Sequence, residues 1–305
     1  MEVSILTEPA KQHFDYRMTH SAMSRNGEAF PFATTTAAAR NPRYDKENRN
    51  NQDAVGICIA PGFVAGVVCD GCGSTHPTIE QHSVSSNEVG AKLACSLILH
   101  DAERAFARKK TFSAPELVER FSRSLQRSFK TTVRAFCGRD ESKAEKFIYD
   151  FLMTTVVGFI VTREQFVVFH SGDGIIAVNG EFKVLDCEAG SYFGNDLLSI
   201  CCPMGFPKAA TGSPLKLYAS GEAKNLQSIL VGTDGLTKFV NQYPKQMSEF
   251  ANRMTPQEQC GDGFDFALPE FRRDIAWNPT ISVELTDDAS FALVRRISQQ
   301  AEATC

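Results

Sequence analysis

Residues 54–74 read AVGICIAPGFVAGVVCDGCGS, and the fold turns on how this stretch is read. Two short apolar runs, 54–60 and 63–69, flank Pro61-Gly62, a strong turn dipeptide, so the spacing predicts a β-hairpin. Asp53 opens the first strand and Asp70 closes the second. Antiparallel pairing sets the start of one strand beside the end of the other, so these two carboxylates are expected to be neighbours. Gly71 and Gly73 then remove side chains just after Asp70, as though something must approach the backbone closely. Cys69 and Cys72 offer a rival reading as a zinc or redox pair. No second close pair of matching spacing follows, and adjacent Cys201-Cys202 cannot easily give two ligands to one tetrahedral site.

Working outward, the twenty residues before the hairpin, 34–53, read as a long charged, Asn-rich connection, and residues 1–30 offer at most an edge strand. Two helices follow the hairpin. Ser85 with Glu88 has the capping-box spacing, and Val89, Leu93, Leu97 and Ile98 recur on a helical period. The second helix starts at Ser113 with Glu116, and Leu117, Phe121, Leu125, Phe129, Val133 and Phe136 mark its apolar stripe. Its other face carries Arg120, Arg123, Arg127, Lys130 and Arg134, which reads as a solvated face before it reads as a binding groove. From about 151 the period shortens to strands, with Asn179-Gly180 as a two-residue hairpin turn. Residues 186–213 read as a loop or flap, strands return at 214–219 and 228–232, and 240–278 read as an insert of helices and loops before a last strand pair around 280–296.

Composition bounds the function. The chain has 305 residues, 43% hydrophobic, with a formal charge of −4, which gives no support for a nucleic-acid surface. No apolar window is long enough to span a membrane, and the N-terminal stretch does not read as a secretion signal. Ten scattered cysteines, several inside apolar patterns, point to a reducing, cytoplasmic compartment.

Further aspartates sit where Asp70 does. Asp173 lies between Gly172 and Gly174, Asp234 follows the apolar run ILVGT, and Asp287-Asp288 precede ASFALV. Singly, each is an ordinary turn residue. Together they form an oxygen-donor set without matching histidine, suited to hard divalent cations such as Mg²⁺ or Mn²⁺, and hydrolysis is the chemistry such a site does best.

The segments NNQDA, VVCDGCGS with SNEVGAKLA, TTVVGFIV, FHSGDGIIAV, ILVGTDGL and TDDASFALV occur in the order and spacing of the protein phosphatase 2C family, bacterial type, which the chain resembles over 45–296. The resemblance implies an α+β fold, a four-layer α-β-β-α sandwich with two central antiparallel sheets, in one domain over 1–305. It implies metal-dependent hydrolysis of phosphoserine and phosphothreonine by a metal-activated water, with no protein nucleophile. Asp70 matches the aspartate bridging two Mn²⁺ or Mg²⁺ ions, with the Gly71 carbonyl as a further ligand or water anchor. Asp234 and Asp287 match the remaining ligands of the first metal, Asp53 an acid near the second, and Asp173 the ligand of a weaker third. The family's phosphate-binding arginine position falls on Asn48, with Arg49 one residue off register. Gln52 stands where animal members have glutamate, and Cys72 where they have a histidine proposed as general acid, so no general acid is assigned. The implied partner is a phosphorylated protein, met by a cytoplasmic monomer without nucleic acid or membrane. A catalytically weak or inactive member, binding a phosphoprotein or other ligand as a sensor, is the second reading. A purely structural domain is the third, and it requires the aspartates to lie far apart.

Overall fold

The computed structural model describes residues 14–15, 18–19, 32–39, 51–72, 86–107, 112–186, 193–206, 214–252 and 287–296. The fold is α+β, with two antiparallel sheets between layers of helices. The first sheet contains β1 (Phe14–Asp15), β2 (Met18–Thr19), β3 (Phe32–Ala39), β8 (Gly174–Val178), β9 (Glu181–Leu185), β11 (Ser228–Gly232) and β12 (Ala289–Arg296), along the path β1-β3-β12-β11-β8-β9 with β2 on β3. The second contains β4 (Asp53–Ala60), β5 (Phe63–Asp70), β6 (Val156–Thr162), β7 (Gln165–Ser171) and β10 (Lys216–Glu222), in the order β10-β7-β6-β5-β4.

Strand periodicity explains the layering, because alternate side chains of each strand serve two different cores. Along β5, Val64 and Val68 face the other sheet, where they meet Ile176, Ile229, Val231 and Val294. Phe63, Ala65, Val67 and Cys69 belong to the core beneath the helices α1 (Glu88–Ala107), α2 (Ala114–Cys137), α3 (Glu141–Phe151) and α4 (Phe193–Cys201). On the opposite side Leu230, Phe291 and Leu293 pack with Phe239, Val240, Met247 and Phe250 of α5 (Thr237–Gln242) and α6 (Pro244–Asn252). The central strands are thus buried on both faces, which is why they read as continuous apolar runs. The expected hairpin turn forms at Asn179-Gly180, both at positive φ (53° and 80°), between paired Val178 and Glu181.

Four expectations need correction. The 34–53 connection begins as a strand: β3 pairs with β12 over eight positions, and Phe32, Thr34 and Thr36 are buried. Its small Thr-Ala residues carry little hydrophobic signal, and pairing with an interior strand overrides that weak propensity. The 186–213 flap contains helix α4, which buries Phe193, Gly194, Leu197 and Leu198. In α1 Ile98 is buried and Leu93 and Leu97 are half-buried against the same core as expected, but Val89 is exposed and the fully buried face is completed by Gly90, Ala91, Ala94, Cys95, Ala102 and Ala105. Small side chains on that face let the helix lie close on β4 and β5, with the leucines packing along its flank. The stripe of α2 holds from Leu117 to Val133 but Phe136 is 74% exposed, stacked on Phe147 with centroids 5.2 Å apart. Ser85 and the first strand of the 280–296 pair lie outside the described residues.

Candidate metal centre

The hairpin register pairs Asp53 with Asp70 at the open ends of β4 and β5. On the other sheet, Gly232 at the end of β11 pairs with Phe291 near the start of β12 and with Ile175 at the start of β8. Asp234, Asp287 and Asp173 therefore leave three neighbouring strand ends on one edge. Stacking of the sheets brings this edge over the Asp53-Asp70 end, and Asp53, Asp234, Asp287 and Asp173 all act electrostatically on Asp70.

The backbone around Asp70 is held on several sides. Its carbonyl accepts from Thr155 N (2.9 Å) and Thr154 Oγ1 (2.9 Å), and its own N–H donates to Thr155 Oγ1 (3.3 Å). Gly71 N donates to the Gln52 carbonyl (3.1 Å). A Cβ on Gly71 would stand 2.6 Å from the Asn87 carbonyl carbon, so the close approach foreseen there is made by the chain's own turn into α1. Buried Asn87 fastens this turn: Nδ2 donates to the carbonyls of Cys72 and Tyr149, and Oδ1 accepts from Met153 N. Cys72 is buried in the core beneath the helices, and Cys69 lies against Cys95. Gly73 and Arg49 lie outside the described residues.

The six aspartates divide by depth. Asp53 and Asp288 are buried, at 6% and 2% exposure, and each ties one sheet to the other. Thr233 Oγ1 donates to Asp53 Oδ2 (2.8 Å), and Gln52 N donates to Asp288 Oδ2 (2.7 Å). Asp70, Asp173, Asp234 and Asp287 are partly exposed and line the solvent side. Asp288 N donates to Asp287 Oδ1 (2.9 Å), so the two members of the pair differ in role. Sequence reading passed over Thr233, Thr154, Thr155 and Asn87 as functional positions. Only adjacency to the DG motifs or to an apolar run marks them.

Burial and mutual repulsion raise the carboxyls. Asp53 is pushed up to about 8, chiefly by burial and then by Asp288. Asp234 is pushed up to about 6, by burial and then by Asp287 and Asp173. Asp70 is raised well above the usual range by burial and the surrounding acids, and Asp173 is raised by burial. Asp53 Oδ1 and Asp234 Oδ1 are buried with no hydrogen-bond partner among the described residues. Orphaned oxygens in a cluster of repelling acids fit a hard divalent cation, which would relieve both the charge and the unmet acceptors. Among the described residues, no three of these side chains already stand in ligand geometry around one point. The fit thus lies in donor type and charge, and an ion would draw the oxygens inward.

The sequence pattern of protein phosphatase 2C matches residues 42–270, well over half of the chain. The chain belongs to the protein phosphatase 2C family. No curated protein matches it at useful similarity. Among solved structures, a bacterial serine phosphatase is 13% identical at TM-score 0.51, covering 87% of this chain and 97% of its own. The serine/threonine phosphatase Stp1 from Staphylococcus aureus is 14% identical at TM-score 0.51, covering 92% and 98%. The catalytic domain of the serine/threonine phosphatase PstP, in complex with two manganese ions, is 13% identical at TM-score 0.50, covering 88% and 99%. At this identity the likeness is one of fold, and it runs through nearly the whole of each of these structures.

The tightest spot in the centre gives a direct test. A Cβ on Gly235 would meet the Asp288 carbonyl oxygen at 1.9 Å, and that backbone atom cannot swing aside. Gly235→Ala is expected to cost about 1–3 kcal/mol in urea unfolding by displacing the Asp287-Asp288 segment. Unchanged stability would show that the segment gives way freely.

Proposed function

We propose that this chain hydrolyses phosphoserine and phosphothreonine in proteins with divalent cations held by its aspartate cluster. The observation that supports the reading is the convergence of Asp70, Asp173, Asp234 and Asp287 from ends of both sheets, where burial first and then repulsion from neighbouring acids raise Asp70 and Asp234. Asp70, Asp234 and Asp287 would hold one ion, Asp70 with Asp53 and the Gly71 carbonyl a second, and Asp173 a weaker third. Manganese is the natural first choice, since the PstP domain of the same fold binds two manganese ions. Bound divalent cations supply charge neutralisation for the phosphoryl oxygens and a water acidified toward neutral pH.

The protein's part is placement. Thr154 and Thr155 fix the Asp70 backbone, so its carboxylate is aimed by the strand end rather than by a loop. Thr233 holds one oxygen of Asp53 and leaves the other unspent. Gln52, through its backbone N–H, occupies Asp288 and leaves Asp287 as the outer member of the pair. Arg49 is the candidate to contact the substrate phosphate. In this reading the chain is a single-domain, monomeric phosphatase of bacterial type, working in the cytoplasm on a phosphorylated protein. Among the described residues, no helix is long and apolar enough to cross a membrane.

The test is hydrolysis of a phosphothreonine peptide by wild type and Asp234→Asn, in Mn²⁺ and in EDTA. Wild type is expected to need Mn²⁺, and the variant to lose more than about 100-fold, since even groups behind a metal's ligands account for about 10–100-fold. Equal turnover in EDTA would sink the reading. A folded wild type that binds Mn²⁺ and turns nothing over would leave the sensor reading in its place.

A further inference from the structure

A second feature lies at the opposite end of the same sheet. β5 runs from Phe63 to Asp70, about 23 Å at a strand's rise of about 3.3 Å per residue. At the Phe63 end, that ring stacks on Phe106 of α1 (centroids 4.6 Å), which meets Phe112 edge-on at 6.5 Å. Beside Phe112 a groove of about 630 Å³ runs between α1 and α2. Its charged lining is Arg104, Arg120, Arg123 and Arg127, against Asp101 and Glu116.

Three observations separate this groove from an ordinary solvated helix face. It is concave, and its volume lies within the range of about 300–1,000 Å³ usual for ligand clefts. Its lining sets four arginines against two acids in a chain of net charge −4, and Glu116 is held at the helix start by Ser113 N (3.0 Å) and Ser113 Oγ (2.8 Å). Arg120 lies over the Phe112 ring at 5.5 Å, and its Nε is buried without a hydrogen-bond partner among the described residues. A buried donor left unpaired costs stability that an incoming acceptor would recover.

The spacing says what shape of anion fits. Arg120, Arg123 and Arg127 follow the i, i+3, i+7 pattern of one helix face and spread over about 10 Å of axis. Charges strung out in this way match carboxylates along an extended chain better than a single phosphate, which needs donors converging on one point. Arg123 is pairing with Glu119 at 3.2 Å, but both are largely exposed, so the contact exchanges readily for another acid. We infer that the groove between α1 and α2 binds an extended acidic segment of a partner protein. The inference stands apart from the hydrolytic reading, because it concerns a surface remote from the aspartates.

Fluorescence anisotropy with a labelled hexaglutamate peptide tests it in EDTA at low salt. The probe carries no phosphate and so owes nothing to hydrolysis. Wild type is expected to bind saturably and to release the peptide as salt rises. Arg123→Glu with Arg127→Glu is expected to weaken binding about ten-fold or more, from the summed loss of several exposed charge contacts. The milder Arg123→Gln with Arg127→Gln, checked by circular dichroism, keeps the test open if charge reversal disturbs folding. The inference is overturned if both double variants bind like wild type, or if wild type does not bind. Displacement by millimolar inorganic phosphate would also overturn it, in favour of a small-anion site.

Discussion

Asp70→Asn is expected to abolish Mn²⁺-dependent hydrolysis while making the metal-free protein more stable. The two effects have one cause. Asp70 ends β5 with its backbone fixed by Thr154 and Thr155, so the substitution leaves the strand end in place. Its carboxyl stands among Asp53, Asp234, Asp287 and Asp173, all of which oppose its ionisation. Asparagine keeps the shape and one oxygen but removes the charge. In EDTA the melting temperature should rise by about 2–4 °C, the shift that about 1 kcal/mol of relieved repulsion brings in a large domain. On the proposed reading the same variant lacks the carboxylate that would serve both ions, and in Mn²⁺ its turnover of a phosphothreonine peptide should fall by more than about 100-fold. A lower melting temperature in EDTA would mean that Asp70 is a structural acceptor. Turnover within about ten-fold of wild type would remove it from the centre.

The second large effect is in the pH dependence of stability. The carboxyls of Asp53, near 8, and Asp234, near 6, lie above their ordinary values, and Asp70 is raised as well. Folded protein therefore holds these protons more tightly than unfolded protein does. The associated stability is fully present below the unfolded values near 4 and is lost as pH rises through the folded ones. Without divalent ions, the melting temperature should fall steadily between about pH 5 and about pH 8. Saturating Mn²⁺ should reverse the trend, because metal replaces protons as the neutralising partner and favours the ionised acids. At a hundred-fold excess over its dissociation constant the ion adds about 2.7 kcal/mol, or about 5–10 °C. Calorimetry across that range, with EDTA and with Mn²⁺, separates the cases. A profile that stays flat or rises in EDTA would show that burial and repulsion do not raise these acids as described.

Much of this fold is legible in local sequence. Pro61-Gly62 and Asn179-Gly180 announced their hairpins because the backbone geometry they favour is a property of the dipeptide itself. Aspartates before glycine at the ends of apolar runs announced strand ends for the same local reason. What escaped reading had little local signal. Strand β3 is built of threonine and alanine, and its strand state comes from eight pairings with β12, a partner some 250 residues away. Helix α1 turns its alanines inward with Ile98 and leaves Val89 out, a face fitted to close approach on β4 and β5. Phe136 follows the apolar period of α2, yet the helix outruns its core at that point.

The same division runs through the metal centre. Local sequence determined that Asp53, Asp70, Asp173, Asp234 and Asp287 would each stand at the end of a strand, since turn chemistry and apolar patterning act over a few residues. Which of them reach solvent and which fasten the sandwich was decided only by the stacking of the two sheets. Asp53 meets Thr233 across 180 positions of chain, and Gln52 meets Asp288 across 236. Those contacts exist because buried faces of both sheets must close on one another, and no span of sequence short enough to carry a motif contains both partners.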